Sequence, residues 1–325
     1  MKTVVRFVLG ISWVLAAGVA AALPIHNNWA VLFSGGYDEN NNRPRYYQET
    51  LRMWNITTGI LGFNPANVYV LFADGTDPGA DQCTSESGGC PGHVTSDWSA
   101  VTAAHSSVLS ASRFNLENTL SFLSSAMGVD DSFYFWSFDH GGDDPTSSNP
   151  LDVLLNGWHE DIYDQEFAAW VDPLNIQAEI YAFGQCHSAG MVDDIQALSG
   201  NNRFAAWACA ADRSSYGSGW ADAWADGLES GLRWSRDLGQ YALVNDIYGP
   251  NGTNEETPGY WGRNIHIVTN EIPAPPTFGL LASGLLGWFA SRRKLSQCGS
   301  STHADNMATS HDLIDATDGV VGEPS

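Results

Sequence analysis

The sequence has little positive charge, and lysine is almost missing from it. Of its 325 residues, 14 are lysine or arginine and 37 are aspartate or glutamate, which gives a formal net charge of −23 at pH 7. The lysines are Lys2 and Lys294, so residues 23–272 have only arginine as a permanently charged cation. Because binding to a phosphate backbone needs a basic surface, we expect no nucleic-acid partner, and we attribute the acidity to solubility.

The sequence also lacks an apolar run long enough to be an obvious membrane span. Its N-terminal apolar stretch covers residues 7–19, follows Lys2 and Arg6, and ends in alanines at 20–22. A basic start, a short apolar core and small residues at the end are typical of a secretory signal peptide, so we predict that residues 1–22 are removed. Membrane anchoring through this segment is the alternative, but the run is short for a bilayer.

Cysteine is scarce, with five in the chain. Cys83 and Cys90 lie in a stretch rich in Asp, Gly and Ser, residues 74–112, which we interpret as a long surface insertion. In an exported chain, two cysteines so close together favour a disulfide that closes the loop. A zinc site that adds His93 is the weaker alternative, since no fourth ligand is evident. We interpret Cys209, at the end of an apolar run, as a buried packing residue.

Motifs for cofactors and metals are missing too. Gly35-Gly36 lacks the third glycine and the immediate helix of a dinucleotide fingerprint. Asp74, Asp77 and Asp81 are a possible calcium set, but they do not have the spacing of an EF-hand, and a solvated acidic loop is the simpler interpretation. We therefore predict no cofactor and no metal site.

Short aromatic and β-branched runs alternate with helical patterns over residues 23–272. Such runs, bounded by glycines, are typical of the buried strands of a parallel sheet, and the length suits one domain. We predict an α/β fold with a mostly parallel central sheet flanked by helices. The predicted strands are residues 29–33, 68–72, 132–138, 153–155, 178–183, 204–208 and 264–269, and the predicted helices are residues 44–57, 115–127, 163–170, 220–232, 238–247 and one that ends at 198.

Two of these strands end in side chains that suit nucleophilic catalysis. The strand at 132–138 leads to His140 and Gly141, and the strand at 178–183 leads to Cys186. Ligands bind beyond the carboxyl ends of parallel strands, a histidine can take the proton of a cysteine nucleophile, and a glycine N–H can stabilise an oxyanion. Taken singly, a buried cysteine is usually a packing residue and a histidine a satisfied polar one. The order, the gap of 46 residues and the glycines favour the catalytic interpretation.

These segments resemble the legumain-type cysteine peptidases, within the larger group that includes caspases and metacaspases. The resemblance implies a caspase-like three-layer sandwich and an endopeptidase that acts on protein or peptide substrates. It also implies that Cys186 attacks the peptide carbonyl, that His140 protonates the leaving amine, and that the N–H groups of Gly141 and Cys186 hold the oxyanion. Beyond the two strand ends, the similarity extends in order to residues 29–35, 45–48, 67–74 and 214–216.

The same resemblance assigns the substrate-binding positions to Arg45, Asp139, Ser214 and Ser215. Legumains have acidic residues beside the nucleophile where this chain has Gln185 and His187, and metacaspases have an aspartate where this chain has Gly184. A guanidinium prefers a carboxylate or amide oxygen, so Arg45 predicts cleavage after Asn or Asp. An arginine that only caps its helix or pairs with Glu49 is the alternative.

The C-terminal segment at 273–294 joins a proline-rich turn, an apolar run at 278–290 and a basic cluster at 292–294. It resembles the PEP-CTERM sorting signal of Gram-negative bacteria that make extracellular polysaccharide, although Ala274 stands where that signal usually has glutamate. The polar tail at 295–325 has a composition that predicts disorder. The resemblance implies a sorting peptidase as a partner, contact with the membrane only transiently through the terminal segments, and a final location at the cell surface or in the extracellular matrix.

The function that follows is an exported cysteine endopeptidase. The alternative from another class is a non-catalytic surface or matrix protein that keeps the fold as a binding module. The presence of both His140 and Cys186 favours the enzyme, because a binding module has no chemical need for the pair. A transpeptidase is a third interpretation, since transfer and hydrolysis differ only in the nucleophile that reaches the acyl-enzyme.

Overall fold

The computed structural model describes residues 26–198, 202–250 and 256–268 of the chain. The predicted signal peptide at 1–22, the sorting segment at 273–294 and the polar tail at 295–325 lie outside these residues. Among the helices that are described, none is both long enough and apolar enough to cross a bilayer.

The described residues form twelve strands and seven α-helices. The strands are β1 (Asn28–Ser34), β2 (Val68–Phe72), β3 (Gln82–Cys83), β4 (His93–Val94), β5 (Ser107–Leu109), β6 (Ser132–Ser137), β7 (Gly141–Asp143), β8 (Val153–Gly157), β9 (Glu160–Tyr163), β10 (Ala178–Phe183), β11 (Asn202–Trp207) and β12 (Gly259–Gly262). The helices are α1 (Pro44–Asn55), α2 (Ser99–Ala103), α3 (Arg113–Ala126), α4 (Asp164–Val171), α5 (Gly190–Ala197), α6 (Gly219–Glu229) and α7 (Ser235–Asn245).

The central sheet has seven strands in the order β12-β11-β10-β6-β1-β2-β5. All neighbouring strands are parallel except the edge pair β11 and β12, which is antiparallel. Every residue of the two middle strands β6 and β10 is buried. Strands that are buried along their whole length are expected where helices cover both faces of a sheet.

Alternate residues of the strands face two separate hydrophobic cores. Leu32 and Trp136 pack on one face with α1, α6 and α7, whereas Val31 and Phe135 pack on the other with α3, α4 and α5. This alternation follows from the two-residue period of a strand. The fold is therefore an α/β three-layer sandwich with a mostly parallel central sheet, the caspase-like arrangement predicted from the sequence.

Helix α1 packs on the first of these cores and carries several residues of the candidate site. It begins at Pro44, whose fixed φ suits the first helical position. Its α-helical part ends at Asn55 and continues as one π-helical turn, Ile56–Ile60. The buried face includes Tyr46.

The prediction of a final strand at 264–269 is wrong. Its described residues make a single antiparallel bridge between His266 and Trp234, and the last strand is β12, antiparallel to β11. Gly262 in β12 has a φ of 107° and lies against the backbone of Arg203. The Gly-Tyr-Trp-Gly sequence lacks the apolar alternation by which strands are usually recognised.

The interpretation of residues 74–112 as a surface insertion is only partly right. The segment begins with the short β3–β4 hairpin, but it ends with helix α2 and with β5, which pairs with β2 at the edge of the central sheet. A three-residue strand is too short to show a periodic pattern in the sequence.

A buried ion pair links β10 and β11. Glu179 and Arg203 stand directly opposite each other, with 2.7 Å between Nε and the carboxylate, and their side chains are 0% and 3% exposed. The hydroxyl of Tyr181 donates to the same carboxylate over 2.7 Å. Removal of one partner from such a pair leaves the other charge without compensation in the core.

We expect Arg203→Ala to lower the free energy of unfolding by about 3–5 kcal/mol, because Glu179 would remain buried without its cation. Arg213→Ala is the control, since that side chain is exposed and 3.9 Å from Asp212, and its effect should stay below about 0.5 kcal/mol. Denaturant unfolding measures both. If Arg203→Ala lowered the free energy of unfolding no more than Arg213→Ala does, the conclusion that this ion pair stabilises the sheet would be wrong.

Candidate functional site

The site lies where β6 and β10 end side by side. The two strands are parallel, and their last residues, Ser137 and Phe183, are opposite each other. The segments that follow are in direct contact: a Cβ added to Gly141 would lie 2.5 Å from the carbonyl oxygen of Cys186. The position after His140 therefore needs a glycine, and the structure brings the predicted histidine and cysteine segments together.

The imidazole of His140 is held through its Nε2 atom. This nitrogen lies 3.2 Å from the carbonyl oxygen of Asn41 and 3.2 Å from the hydroxyl of Tyr46, whose ring meets the imidazole edge to face. A carbonyl oxygen can only accept, so Nε2 carries the proton of the neutral ring and Nδ1 is the basic nitrogen. Burial lowers the pKa of His140, the charges of Arg45 and Arg43 lower it further, and the bond to Asn41 acts in the opposite direction.

The thiol of Cys186 faces the predicted segment at 214–216. Its Sγ lies 3.3 Å from the backbone nitrogen of Ser215 and 3.6 Å from the carbonyl oxygen of the same residue. Burial raises the pKa of the Cys186 thiol, and hydrogen bonds from Ser215 and Ser214 partly offset the effect. With the cysteine pKa raised and the histidine pKa lowered, the resting pair is a neutral thiol and a neutral imidazole.

A cleft of about 380 Å³ opens beside His140. It is large enough for a few side chains of an extended ligand, and its lining includes the β7 glycines and the loop after β1. The lining residues are Tyr37, Asn41, His140, Gly141, Gly142, Asp143, Pro145, Leu154, Asn156 and Asp161.

Asp139 is one of the predicted substrate-binding residues, and both of its carboxylate oxygens are used by the backbone. One accepts from the N–H of His140 over 2.6 Å and the other from the N–H of Gly36. Burial raises the pKa of Asp139 to about 7, although these bonds favour the charged form. Its side chain thus ties the loop after β1 to the strand end that carries the histidine.

Arg45 lies near His140 and is already partly bound. Its Nη1 donates to the backbone oxygen of Glu86 over 2.9 Å and to the Glu86 carboxylate over 3.1 Å, and its Nη2 donates to the Tyr46 hydroxyl over 3.1 Å. The guanidinium stacks over the Tyr46 ring at 4.7 Å. Neither alternative from the sequence holds, because Arg45 does not cap α1 and Glu49 pairs with Arg52 instead.

Glu86 belongs to a hairpin that is closed by the predicted disulfide between Cys83 and Cys90. Arg43 holds this hairpin through Nη1 to the carbonyl oxygen of Ser85 over 3.2 Å and through Nη2 to that of Gly88 over 3.0 Å. The segment at 41–46 therefore contacts the histidine on one side and the disulfide hairpin on the other.

Two residues beside the nucleophile have packing or bracing roles. His187 has a φ of 62°, and its Nδ1 lies 2.8 Å from the Asp143 carboxylate and 2.6 Å from the carbonyl oxygen of Ala211. Cys209 is buried against Ser188, with Sγ 3.6 Å from the hydroxyl, and burial raises the pKa of Cys209 to about 11. It is the packing residue that the sequence predicted.

The carboxylates of Asp164, Asp193 and Asp194 are close enough together to hold a cation. The sequence did not predict this group. Asp164 is buried and accepts from the backbone nitrogens of Val153 and Gln165, so its oxygens already have partners. Burial raises the pKa of all three carboxyls. Carboxylates grouped in this way are common without an ion, and we assign none.

Sequence reasoning missed several residues that support the predicted pair. Asn41 acts through its carbonyl oxygen, which no sequence motif specifies. Tyr46 lies inside the segment at 45–48 that carried the resemblance, and its place one residue after Arg45 is the only signal that pointed to it. Glu86 reaches the site because the disulfide hairpin folds back on α1, a contact between distant parts of the chain.

We expect His140 to titrate below 6.5, the usual histidine value, and its neutral ring to carry the proton on Nε2, because burial opposes the charged form and Asn41 accepts from that nitrogen. Nitrogen-15 NMR of the imidazole measures the midpoint and the tautomer, and the loss of the signals in His140→Gln assigns them. A midpoint above 6.5, or a proton on Nδ1, would contradict the described hydrogen bonds.

Comparison with known proteins identifies no family for this chain. No protein-family model matches the sequence, and a search of characterised proteins finds no match. Solved structures that match include a structural-genomics protein from Geobacter sulfurreducens, with 14% sequence identity and a TM-score of 0.45. The match covers 76% of this chain and 98% of the Geobacter chain.

Proposed function

We propose that the chain is a cysteine endopeptidase with Cys186 as the nucleophile and His140 as the general acid and base. The observation that carries the proposal is the binding of His140 Nε2 to the Asn41 carbonyl oxygen at the strand end next to the cysteine. A ring held in this way keeps one tautomer, with Nδ1 free to accept a proton.

The reaction begins from the uncharged pair. As a peptide carbonyl enters, the thiol passes its proton to Nδ1 of His140 and Sγ forms a bond to the carbonyl carbon. The N–H groups of Gly141 and Cys186 stabilise the oxyanion, and the imidazolium then protonates the departing amine. Water, activated by the neutral imidazole, hydrolyses the thioester and restores the thiol. Acylation and deacylation each begin with neutral His140, so the activity falls as the pH drops through its lowered pKa.

Arg45 is the proposed contact for the side chain on the amino side of the scissile bond. Its guanidinium is near His140, since both groups contact the Tyr46 hydroxyl, and it already binds one carboxylate, that of Glu86. A substrate carboxylate or amide oxygen can replace Glu86 at the same donors. We therefore propose cleavage after Asn or Asp.

We further infer that the protein acts after export, at the cell surface or in the extracellular matrix. The Cys83–Cys90 disulfide is stable in an oxidising compartment. The signal peptide predicted at residues 1–22 supports export, and the sorting segment predicted at 273–294 supports the surface location. A sorting peptidase is the proposed partner that removes the C-terminal signal.

We expect Cys186→Ala to lower cleavage of a peptide library by at least about 10³-fold, and to abolish labelling by a thiol-reactive peptidyl probe, because the nucleophile is lost. We expect His140→Ala to lower kcat/KM by about 10²–10⁴-fold. Cys209→Ala is the matched control, since it removes the other free cysteine of the described chain and leaves the site intact.

Labelling that persists in Cys186→Ala, or that maps to Cys209, would overturn the assignment. Normal labelling of Cys186 without any cleaved peptide would favour the binding module. Mass analysis of the products separates hydrolysis from transfer, since transfer joins the acyl fragment to an added amine.

We expect Arg45→Ala to lower the preference for Asn and Asp over other residues by about tenfold or more, because the donors for the side-chain oxygen are lost. Arg43→Ala is the matched control. This variant also removes a cation that lowers the His140 pKa and holds the disulfide hairpin, but the Arg43 side chain does not stack on Tyr46. A positional-scanning library measures the preference. A preference for basic residues in the natural protein, or an unchanged profile in Arg45→Ala, would contradict the proposal.

A further inference from the structure

Two buried carboxyl groups lie behind the segment that faces Cys186. Asp246, just after α7, is 2% exposed, and Glu256, before β12, is 1% exposed. Among the described residues, neither carboxyl has an arginine or histidine within salt-bridge distance. Burial of two carboxyls without a cation is costly unless one of them keeps its proton.

One oxygen of each group is buried without a hydrogen-bond partner among the described residues, Oδ2 of Asp246 and Oε2 of Glu256. A proton on one carboxyl would satisfy both oxygens, because a carboxylate can only accept. Asp246 also accepts from the backbone nitrogen of Tyr248 over 3.0 Å, which favours its charged form. Burial and the charge of Asp246 raise the pKa of Glu256 to about 8, so Glu256 carries the proton at neutral pH.

Space for this pair is made by a glycine at the start of α6. A Cβ on Gly219 would lie 2.6 Å from the Asp246 carboxylate and 2.7 Å from the Tyr248 ring. The same tyrosine packs against Tyr216, with 6.3 Å between the ring centroids. The pair is therefore packed directly against the segment at 214–216.

The other oxygen of Glu256 accepts from the backbone nitrogen of Tyr216. The neighbouring Ser215 lowers the pKa of Glu256, against the effect of burial. The backbone nitrogen of Ser215 points to Sγ of Cys186 over 3.3 Å. Glu256 thus holds the residue directly after Ser215, whose own N–H contacts the nucleophile.

We propose that Glu256 is a positioning residue, which holds the backbone of Tyr216, keeps the Ser215 N–H against Sγ of Cys186, and so sets the ionisation of the thiol. The titratable groups around it are Asp246 after α7, Tyr248 in the following loop, Tyr216, and Cys186 itself. Asp212 and Arg213 precede the segment and are exposed. The consequence for turnover rests on the proposed peptidase function, but the effect on the thiol does not.

The test is the pH dependence of Cys186 alkylation by iodoacetamide, followed by mass mapping that separates Cys186 from Cys209. Glu256→Gln keeps an oxygen for Tyr216 and an N–H donor for Asp246, but it cannot ionise. Glu256→Ala loses both the charge and the hydrogen bonds. Glu49→Gln is the control, because burial also raises the pKa of Glu49 to about 8, but its partner is Arg52 on the surface of α1.

In the natural protein, Glu256 ionises above about pH 8, and its negative charge raises the pKa of the thiol. We expect the midpoint of the alkylation profile to fall in Glu256→Gln by about half a pH unit or more, since that charge is absent. We expect the midpoint of Glu256→Ala to lie about one unit above that of Glu256→Gln, because the Ser215 N–H is no longer held to the sulfur. Glu49→Gln should keep the natural midpoint.

A midpoint in Glu256→Gln equal to the natural one overturns the proposal, and this comparison stands even where Glu256→Ala does not fold. Equal midpoints for the Gln and Ala variants would overturn the hydrogen-bonded connection. If the protein cleaves peptides, kcat/KM should fall about tenfold in Glu256→Ala and be restored in Glu256→Gln. An absence of cleavage in the natural protein would refute the peptidase function, while the alkylation midpoints still decide the role of Glu256.

Discussion

β6 and β10 pair in parallel with their last residues opposite each other, and the geometry of the site depends on that register. A shift by one residue would move every side chain of a strand to the other core, so the burial of both strands fixes the pairing. The residues that follow inherit the spacing of the strands, which is about 4.8 Å. This spacing is small enough that Gly141 touches the backbone of Cys186, and any larger side chain would force the two segments apart.

Burial has opposite effects on the two central groups. It disfavours the charged form of each, so it raises the pKa of the cysteine and lowers that of the histidine. Because the thiol and the imidazole are both uncharged before a substrate binds, neither needs polar surroundings to stabilise a charge. The polar contacts that the site does have orient the groups: a carbonyl oxygen fixes the tautomer of His140, and the Ser215 N–H points to the sulfur. These contacts come from the loop after β1 and from the segment at 214–216, on opposite sides of the two strand ends.

The sequence was sufficient to predict the strands in the middle of the sheet and the positions of His140 and Cys186 after two of them. Strands such as β1, β6 and β10 are mostly apolar or aromatic, and their covering helices have periodic faces, so local patterns agree with the fold. β5 and β12 were missed because they are three and four residues long and are strands only through their partners. The supporting contacts of Asn41, Glu86 and Glu256 were missed for a related reason. They depend on backbone oxygens, on a hairpin that folds back, or on a buried carboxyl pair, and these are products of the tertiary structure.

Because residues 23–272 have no lysine, the ion pairs among the residues that the structure describes contain no ammonium group of a side chain. Arginine supplies the positive charge instead, as Arg52 shows. Its planar guanidinium pairs with four carboxylates, those of Glu49, Asp222, Asp226 and Glu229. A guanidinium does not lose its proton at any pH that a folded protein experiences. Alkaline solution therefore leaves the arginine ion pairs charged and adds negative charge at the carboxyls and thiols whose pKa is raised. Repulsion among these negatively charged side chains therefore sets the highest pH at which the protein stays folded. Dissolved salt screens that repulsion and should raise this pH.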